Sequence, residues 1–332
     1  MQAEGLRAFL LGQELMRADE QARVLPLTGG VSSDIWRVDL PGRTLCVKRA
    51  LSKLKVSANW QAPVNRNAYE WAWLQFAAQH FPANVPRLLA HDPVAGLFAM
   101  EFLAPESHPV WKEQLLAGNV VPATARSVGH VLGRLHAESA GRADIAATFD
   151  SDRNFHSLRL EPYLLATAAS HPEAAKALIA LAERTAQTHL ALIHGDISPK
   201  NILVGPDGPV FLDAECACYG DPAFDVSFCL NHLLLKCIVR PRQSQALRAA
   251  FDELRNAYFI NINWEPVIDL ERRAASLLPG LLLARSDGKS PVEYLTRDED
   301  RAMLRSVALP LLRTPVTSLA EVADAWFSAV VR

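Results

Sequence analysis

One stretch of the chain, residues 192–225, strongly constrains the fold, because it combines short apolar runs with polar residues near the ends of those runs. Apolar runs occupy 191–193 and 210–212, and a strand-like run at 202–204 lies between them. Because Gly-Pro and Asp-Gly pairs interrupt these runs, they predict a small buried hairpin system with polar residues at the strand ends. Those polar residues are Asp196, Asn201 and Asp213. We therefore expect these three side chains to lie where a ligand can reach them.

The spacing of these residues follows the layout of a kinase catalytic loop and metal site. In that layout Asp196 accepts the proton of the substrate hydroxyl, while Asn201 and Asp213 hold the magnesium ions that bridge the phosphates of ATP. Phosphoryl transfer needs hard oxygen ligands for magnesium and a carboxylate beside the acceptor hydroxyl. Either aspartate alone would more often be a helix cap or a turn residue, but their joint spacing favours the catalytic interpretation.

Five short motifs extend this pattern. They are His194-Gly195-Asp196, Asn201-Ile202-Leu203, Leu212-Asp213-Ala214-Glu215, Gly220-Asp221-Pro222 and Phe224-Asp225. Together they resemble the aminoglycoside phosphotransferase and choline kinase group of small-molecule kinases, which carries Asp-x-Glu where protein kinases carry Asp-Phe-Gly. The resemblance implies that His194 braces the catalytic loop, that Asp225 holds the loop backbone and can cap the following helix, and that Glu215 lies at or next to the metal site.

The same resemblance implies the fold class and domain organisation. The expected class is α+β, a bilobal protein-kinase-like fold with a small β-rich N-lobe and a large, mostly helical C-lobe. We place the nucleotide-binding lobe at 1–103 and the catalytic and substrate-binding lobe at 104–332. Only eleven residues separate Asp213 from Asp225. This interval is too short for the phosphorylatable activation segment of a protein kinase, so a small-molecule substrate is expected.

A glycine-containing segment near the N-terminus is a candidate phosphate-covering loop. Its residues are Gly29, Gly30, Ser32 and Ser33, between two apolar runs. Glycines allow backbone N–H groups to approach phosphate, but an ordinary hairpin turn uses them equally, and that alternative stays open. The next strand, 44–48, ends in Lys48. A lysine on the third strand is how kinases reach the α- and β-phosphates.

Lys48 needs a carboxylate on a following helix to hold it, and Glu70 is the natural candidate. The segment 65–80 has a strong helical pattern, and Glu70 is its only acidic residue. The alternative is that Glu70 is a solvated surface glutamate, but the kinase-like motifs downstream favour the ion pair with Lys48. The apolar strand 98–103 precedes a proline-containing crossover, so the fold places the adenine against Glu101, Phe102 and Leu103.

The acceptor substrate is less clearly specified by the sequence. The segments 50–66, 100–103, 111–113 and 218–220 resemble 5-methylthioribose kinases, which favours a 5-methylthioribose-like sugar. Asn201 departs from that pattern and matches aminoglycoside and choline kinases instead, so an aminoglycoside or amino-alcohol acceptor is the alternative. A cationic acceptor would require carboxylates on the pocket wall. The acidic candidates are Asp252, Glu253, Asp269 and Glu271, and possible arginine contacts are Arg240, Arg272, Arg273 and Arg285.

A non-catalytic nucleotide-binding pseudokinase is a third interpretation of the same sequence. A pseudokinase would tolerate loss of a catalytic residue, yet this sequence contains every residue of the expected kinase site. The set comprises Lys48, Glu70, Asp196, Asn201 and Asp213. Its completeness favours an enzyme that uses ATP and Mg2+.

Composition argues against two classes of partner. With 50% hydrophobic residues and a formal net charge of -2, the 332-residue chain can bury a large core and has no basic footprint for nucleic acid or an anionic membrane. Its five cysteines form no Cys-x-x-Cys pair, which favours reduced, buried thiols. The first 20 residues form an amphipathic, mixed-charge pattern, so no secretory signal is expected and a cytoplasmic location is predicted. Nothing in the sequence specifies an oligomeric state.

Overall fold

The computed structural model describes residues 2–27, 33–51 and 66–330. Three residues of the predicted phosphate-covering loop, Gly29, Gly30 and Ser32, lie outside the described residues, as does most of the segment 50–66. The described part is a mixed α+β structure in which a small antiparallel sheet precedes a largely helical region.

The N-terminal sheet has five strands. They are β1 (Arg23–Pro26), β2 (Ser33–Leu40), β3 (Arg43–Ala50), β4 (Leu88–Asp92) and β5 (Leu97–Glu101). Their order across the sheet is β1-β2-β3-β5-β4, and every neighbouring pair is antiparallel. Because side chains alternate along a strand, Leu45 and Val47 of β3 join the core beneath the N-terminal helix, whereas Cys46 joins the main core on the opposite face. This alternation also turns Lys48 toward the face that carries the main core.

Most of the chain beyond the sheet is helical. The helices are α1 (Gln2–Gly12), α2 (Arg66–His80), α3 (Trp111–Ala117), α4 (Pro122–Ser139), α5 (Ala143–Thr148), α6 (Asp152–Phe155), α7 (Ala166–Ser170), α8 (Ala175–Gln187), α9 (Pro222–Val239), α10 (Ser244–Phe259), α11 (Val267–Asp287), α12 (Asp298–Arg313) and α13 (Leu319–Val330). A π-helix, His156–Leu165, joins α6 to α7. The helix expected at 65–80 corresponds to α2.

Two short strand pairs carry the motif-rich stretch. One is the hairpin of β7 (Ile202–Gly205) and β8 (Gly208–Phe211), and the other pairs β6 (Ala191–Ile193) with β9 (Cys218–Gly220). The apolar runs of 192–225 therefore form buried strands as expected, although β6 pairs with β9 rather than with the hairpin. Strand β5 ends at Glu101, earlier than the expected 98–103. The lobe boundary after residue 103 stays a prediction.

Helix α9 forms the centre of the helical region. Leu230, Leu233 and Leu234 are completely buried, and helices α10 and α11 pack against it. Among the described residues it is the one helix with the length and apolar composition of a membrane span, and 94% of that window is buried inside the protein. A core helix satisfies the same criterion.

Two glycines let α4 and α10 pack closely. A Cβ atom on Gly129 would lie 2.2 Å from the carbonyl oxygen of Leu254, and one on Gly133 would lie 2.7 Å from that of Tyr258. Both contacts are with backbone, which cannot swing aside, so the helices could not approach this closely with any larger residue.

The Gly129→Ala variant is expected to lower the free energy of unfolding by about 1–3 kcal/mol, because the added methyl forces α4 and α10 apart. Urea denaturation measures the change. Gly5→Ala in α1 is the matched control, since its Cβ would meet nothing within 4 Å and the better helix propensity of alanine should stabilise by up to about 1 kcal/mol. Equal effects of the two changes would contradict the close-packing interpretation.

Candidate active site

The loop after β6 is fixed through its backbone. Asp225 is fully buried, and its two carboxylate oxygens accept the N–H groups of His194 (2.7 Å) and Gly195 (2.9 Å). Gly195 has φ 74, and a Cβ there would lie 2.5 Å from the carbonyl oxygen of Cys216, so only glycine fits. The expectation that Asp225 caps α9 is wrong, because the capping side chain is Asp221, which accepts the N–H of Ala223 at 3.0 Å.

His194 braces the same loop. Its Nε2 lies 3.0 Å from the carbonyl oxygen of Leu212, and its Nδ1 lies 3.2 Å from the amide nitrogen of Asp196. Burial lowers the pKa of His194, so the neutral ring donates from Nε2 and accepts at Nδ1. The ring also packs edge-on against Trp73 of α2. These contacts link the loop to helix α2 and to the segment after β8, and both ring nitrogens of His194 are engaged.

Asp196 is held by one of its two oxygens. Its Oδ2 receives Asn201 Nδ2 at 2.8 Å, lies 2.8 Å from a terminal nitrogen of Arg159, and lies 3.1 Å from Lys200 Nζ. Its Oδ1 has no hydrogen-bond partner among the residues that the structure describes. One oxygen thus fixes the carboxylate in place, and the other is available to a ligand hydroxyl.

Arg159 was missed by the sequence analysis. It projects from the π-helix, donates from Nε to the carbonyl oxygen of Gly195 at 2.6 Å, and is 7% exposed. A π-helix is uncommon and often marks a functional site, but its residues carry no sequence signature of their own. Burial raises the pKa of Asp196, and the charges of Arg159 and Lys200 outweigh this effect and hold the pKa below its usual value.

The Arg159→Met variant is expected to raise the pKa of Asp196, since burial would then be opposed chiefly by the charge of Lys200. A base must be ionised to act, so the acid limb of kcat/KM should move to higher pH. The pH dependence of kcat/KM measures this shift. Arg126→Met, which removes an exposed ion pair with Glu253, is the control and should leave the limb in place. An unmoved limb in Arg159→Met would contradict the interpretation.

Lys48 joins two carboxylates. Its Nζ donates to Glu70 Oε1 at 2.8 Å and to Asp213 Oδ1, so β3, α2 and the segment after β8 meet at one ammonium group. Burial would lower the pKa of Lys48, but the charges of Asp213 and Glu70 raise it, and the lysine stays protonated. Burial raises the pKa of Glu70 to about 7, against the opposing charge of Lys48. The structure thus brings together the lysine and glutamate that the sequence paired.

Two oxygen atoms beside this group fit a magnesium ion. Asp213 Oδ2 and Asn201 Oδ1 accept no hydrogen bond from the described residues. Magnesium is usually bound by one or two protein oxygen ligands together with substrate phosphates and water, and this donor set meets that requirement. No cluster of three or more His, Cys, Asp or Glu side chains able to hold a metal occurs within 2–27, 33–51 and 66–330.

Asp213 adopts an unusual backbone conformation, and Glu215 is already paired. Asp213 has φ 67, in the left-handed region that aspartate and asparagine tolerate better than most residues. Glu215 Oε2 lies 3.0 Å from Arg66 Nε in a buried ion pair. Its role at the metal site stays a prediction, because the Arg66 contact occupies one of its oxygens.

Five of the predicted nucleotide-binding residues and both predicted magnesium ligands line one cleft of about 350 Å3, whereas Ser33 is not among its lining residues. It contains Lys48, Glu70, Glu101, Phe102, Leu103, Asn201 and Asp213. Its apolar walls include Leu27 and Ile35 on one side and Leu203 and Leu212 on the other, which suits a flat aromatic base. A larger depression of about 690 Å3 between α4 and α10 contains none of the predicted catalytic, nucleotide-binding or metal-binding residues, and two of its charged lining residues, Arg126 and Glu253, pair with each other.

The acidic residues suggested for a cationic acceptor are each paired with an arginine. The pairs are Asp252 with Arg248, Glu253 with Arg126, Asp269 with Arg272 and Glu271 with Arg255. Three of the four suggested arginines are similarly engaged. Arg240 donates to the carbonyl oxygen of Leu116, Arg272 pairs with Asp269, and Arg273 bridges Asp221 and Glu265. Only Arg285 of this group lies buried without a carboxylate partner among the described residues.

Comparison with known proteins agrees with this architecture. The sheet, the helical region and the cleft between them define a bilobal, protein-kinase-like fold. Residues 23–267 match the model of the phosphotransferase enzyme family, which is more than half of the chain. The chain belongs to this family, as the motifs suggested.

The chain is also similar in sequence to two methylthioribose kinases. The methylthioribose kinase of Enterobacter sp. (strain 638) is 27% identical over 219 residues, covering 58% of this chain and 54% of the relative. That of Cronobacter sakazakii is 28% identical over 236 residues, covering 62% and 58%. The chain therefore spans little more than half the length of these relatives.

Two solved structures are similar over nearly the whole chain. The amicoumacin kinase hAmiN in complex with AMP-PNP, Ca2+ and Ami has a TM-score of 0.54 and 14% identity, covering 96% of this chain and 98% of the other. The ethanolamine kinase Pv091845 of Plasmodium vivax has a TM-score of 0.52 and 12% identity, covering 98% and 86%. At such identities they show the fold, and the expected α+β bilobal class is confirmed.

Proposed function

We propose that the protein transfers the γ-phosphoryl group of ATP to a hydroxyl of a small molecule, with magnesium. The observation that carries this proposal is the geometry of Asp196, whose Oδ2 is anchored by three donors while Oδ1 has no partner among the described residues. Membership of the phosphotransferase family and the methylthioribose kinase relatives support the same chemistry.

In this proposal Asp196 orients the acceptor hydroxyl and takes its proton. The acceptor oxygen forms a bond to the γ-phosphorus while the bond from that phosphorus to the β,γ-bridging oxygen breaks, and ADP leaves with the electron pair. Because Arg159 and Lys200 keep the pKa of Asp196 low, the carboxylate is a weak base and the proton moves late. A loose phosphoryl-transfer transition state needs positioning more than strong base catalysis, so a weak base suffices.

The remaining site residues would bind and orient the donor. Lys48, held by Glu70, would contact the α- and β-phosphates. Asn201 and Asp213 would hold magnesium, which neutralises charge on the phosphates when bound. The apolar cleft would take the adenine against residues 101–103, and the segment containing Gly29, Gly30, Ser32 and Ser33 would cover the phosphates.

A sugar-like acceptor such as methylthioribose has the best support from the relatives. A cationic amino-alcohol or aminoglycoside acceptor has less support, because Asp252, Glu253, Asp269 and Glu271 are each paired with an arginine.

The test is magnesium-dependent ADP release from ATP across methylthioribose, ribose, choline, ethanolamine, homoserine and several aminoglycosides. We expect turnover with at least one acceptor, and that turnover should disappear in Asp196→Asn. ATP binding without any Asp196-dependent turnover would favour a non-catalytic nucleotide-binding protein. Failure to bind ATP would refute the kinase proposal.

A further inference from the structure

The charges of several basic side chains act on one histidine of the helical region. His232 of α9 is 6% exposed, and the charges of four basic residues act on it. They are Arg285, Lys236, Lys200 and Lys112. Burial and then these charges lower the pKa of His232 well below its usual value, so the ring stays neutral. We call these five residues the basic cluster.

Two members of the basic cluster are buried without a carboxylate partner. Lys236 is 1% exposed, and its Nζ donates to the hydroxyl of Tyr294 at 2.8 Å. Arg285 is 8% exposed and donates to the hydroxyls of Tyr163 (3.0 Å) and Ser290 (2.9 Å), while its Nε has no partner within the described residues. Neither forms an ion pair with any Asp or Glu that the structure describes.

The basic cluster reaches the catalytic aspartate through Tyr163. The guanidinium carbon of Arg285 lies 5.5 Å from the centre of the Tyr163 ring, and that of Arg159 lies 5.8 Å from the same centre. Arg159 in turn pairs with Asp196, as does Lys200. Arg285, which has no carboxylate partner among the described residues, is therefore separated from the Arg159–Asp196 pair by the ring of Tyr163.

Unpaired buried cations are costly, and they are concentrated at functional sites. Burial, with the charges of Lys112 and Arg285, lowers the pKa of Lys236 to about 7, which shows how strongly the surroundings disfavour another positive charge. Among the largest influences on the pKa of Lys236 from the described residues, the one carboxylate is Glu293, which already pairs with Lys112. A negative ligand would offset this excess of positive charge.

The phosphates of ATP do not account for these charges. The nucleotide cleft has two lysines of its own, Lys48 and Lys200, whereas Lys236 and Arg285 are not among its lining residues. They lie on α9 and α11, on the helical side of Asp196. An anion held there would be a second ligand, separate from the nucleotide.

We propose that Lys236 and Arg285 form an anion subsite of the acceptor pocket, so the acceptor is a hydroxyl compound that carries a carboxylate or a phosphate. This inference rests on the proposed kinase function and changes the favoured acceptor, because methylthioribose carries neither a carboxylate nor a phosphate and the subsite would favour an anionic relative of such a sugar. The anion binds the basic cluster, and a hydroxyl of the same molecule lies at Asp196 Oδ1. Cationic acceptors are repelled, and neutral sugars lack the group that the subsite binds.

Calorimetry on the full chain tests the subsite without requiring turnover. The nucleotide cleft is first filled with magnesium and AMP-PNP, and the chain is then titrated with ribitol, D-ribonate and D-ribitol 5-phosphate. These probes share one carbon skeleton and differ in having no anion, a carboxylate or a phosphate. We expect at least one anion to bind about tenfold or more tightly than ribitol. Which anion binds better identifies the group.

Variants tie that binding to the subsite. Lys236→Met should weaken binding of the preferred anion about tenfold or more, whereas Lys236→Arg, which keeps the charge, should restore most of it. The exposed Lys176→Met on α8 is the matched control and should bind like the unmodified chain. Circular dichroism shows whether each variant folds, and Arg285→Lys provides a second charge-conserving comparison. Equal affinity for ribitol and both anions, or unchanged anion binding in Lys236→Met, would overturn the proposal.

ADP release with the same three probes separates the two proposals. Asp196-dependent turnover of an anionic probe, with a KM raised about tenfold in Lys236→Met and a similar kcat, supports both the kinase function and the subsite. Turnover of ribitol in preference to both anions supports the kinase function and overturns the subsite. Anion binding that depends on Lys236, without turnover of any acceptor, supports the subsite and counts against the kinase function.

Discussion

Replacing Asp196 with asparagine is expected to lower kcat by about a hundredfold to ten-thousandfold, the usual contribution of a positioned general base. Asparagine keeps the shape of the side chain and can still occupy the place of Oδ2, but it cannot take a proton from the acceptor hydroxyl. Asp196 does not line the nucleotide cleft, so the KM for ATP should change by less than about threefold. Steady-state ADP release at saturating acceptor measures both quantities.

The same change also removes the negative partner of Arg159 and Lys200. Loss of one member of a buried ion pair typically costs about 3–5 kcal/mol of stability, so urea denaturation must accompany the kinetics. Asp207→Asn, in the exposed turn between β7 and β8, is the matched control and should alter neither measurement. A folded Asp196→Asn protein that releases ADP at the unmodified rate would contradict the proposed role.

The spatial proximity of candidate site residues that are close in sequence could be predicted. Asp196, Asn201 and Asp213 fall within one short stretch, and the loop and hairpin geometry over that distance is set largely by local turn chemistry. Lys48 and Glu70 are also brought together by regular elements, because strand alternation and helix periodicity fix the face on which each lies. The fold class followed from the same motifs.

Contacts between distant elements could not be predicted in this way. Arg159 lies 37 positions before Asp196 and reaches it from a π-helix, whose irregular spacing breaks the helical pattern used for sequence analysis. The arginine partners of Asp252, Glu253, Asp269 and Glu271 likewise come from helix packing and exposure that a single sequence does not specify. Likewise, the sequence favoured Asp225 as the cap of α9, whereas Asp221 makes the capping contact and Asp225 holds the loop backbone.

The basic cluster also could not be predicted from the sequence, because its residues come from distant elements. Lys236 follows three leucines in α9, a buried helix whose other charged residue is Asp225 in its first turn. Its meaning depends on Arg285, contributed by a different helix, and on the fact that neither cation pairs with a carboxylate of the described residues. Unbalanced charge is a property of the packed structure, so it becomes visible only after the helices are placed.

The second large effect is expected from Asp213→Asn, which should lower kcat by about a hundredfold to a thousandfold and raise the magnesium concentration needed for half-maximal activity. In the proposed site the carboxylate would supply Oδ2 as a negative oxygen ligand for magnesium, and it pairs with Lys48 through Oδ1; an amide would replace both interactions only weakly. Asparagine is the suitable replacement because it tolerates the left-handed backbone conformation, φ 67, found at this position. Alanine would add backbone strain and confuse the measurement.

Magnesium titration of ADP release in Asp213→Asn and Glu215→Gln separates the two carboxylates of the Asp-x-Glu motif. Glu215 pairs with buried Arg66, so Glu215→Gln should mainly lower the free energy of unfolding, by about 3–5 kcal/mol, and should change the magnesium requirement less than Asp213→Asn does. An equal rise in the magnesium requirement in both variants would place Glu215 at the metal site as well. An unchanged requirement in Asp213→Asn would refute its role as a metal ligand.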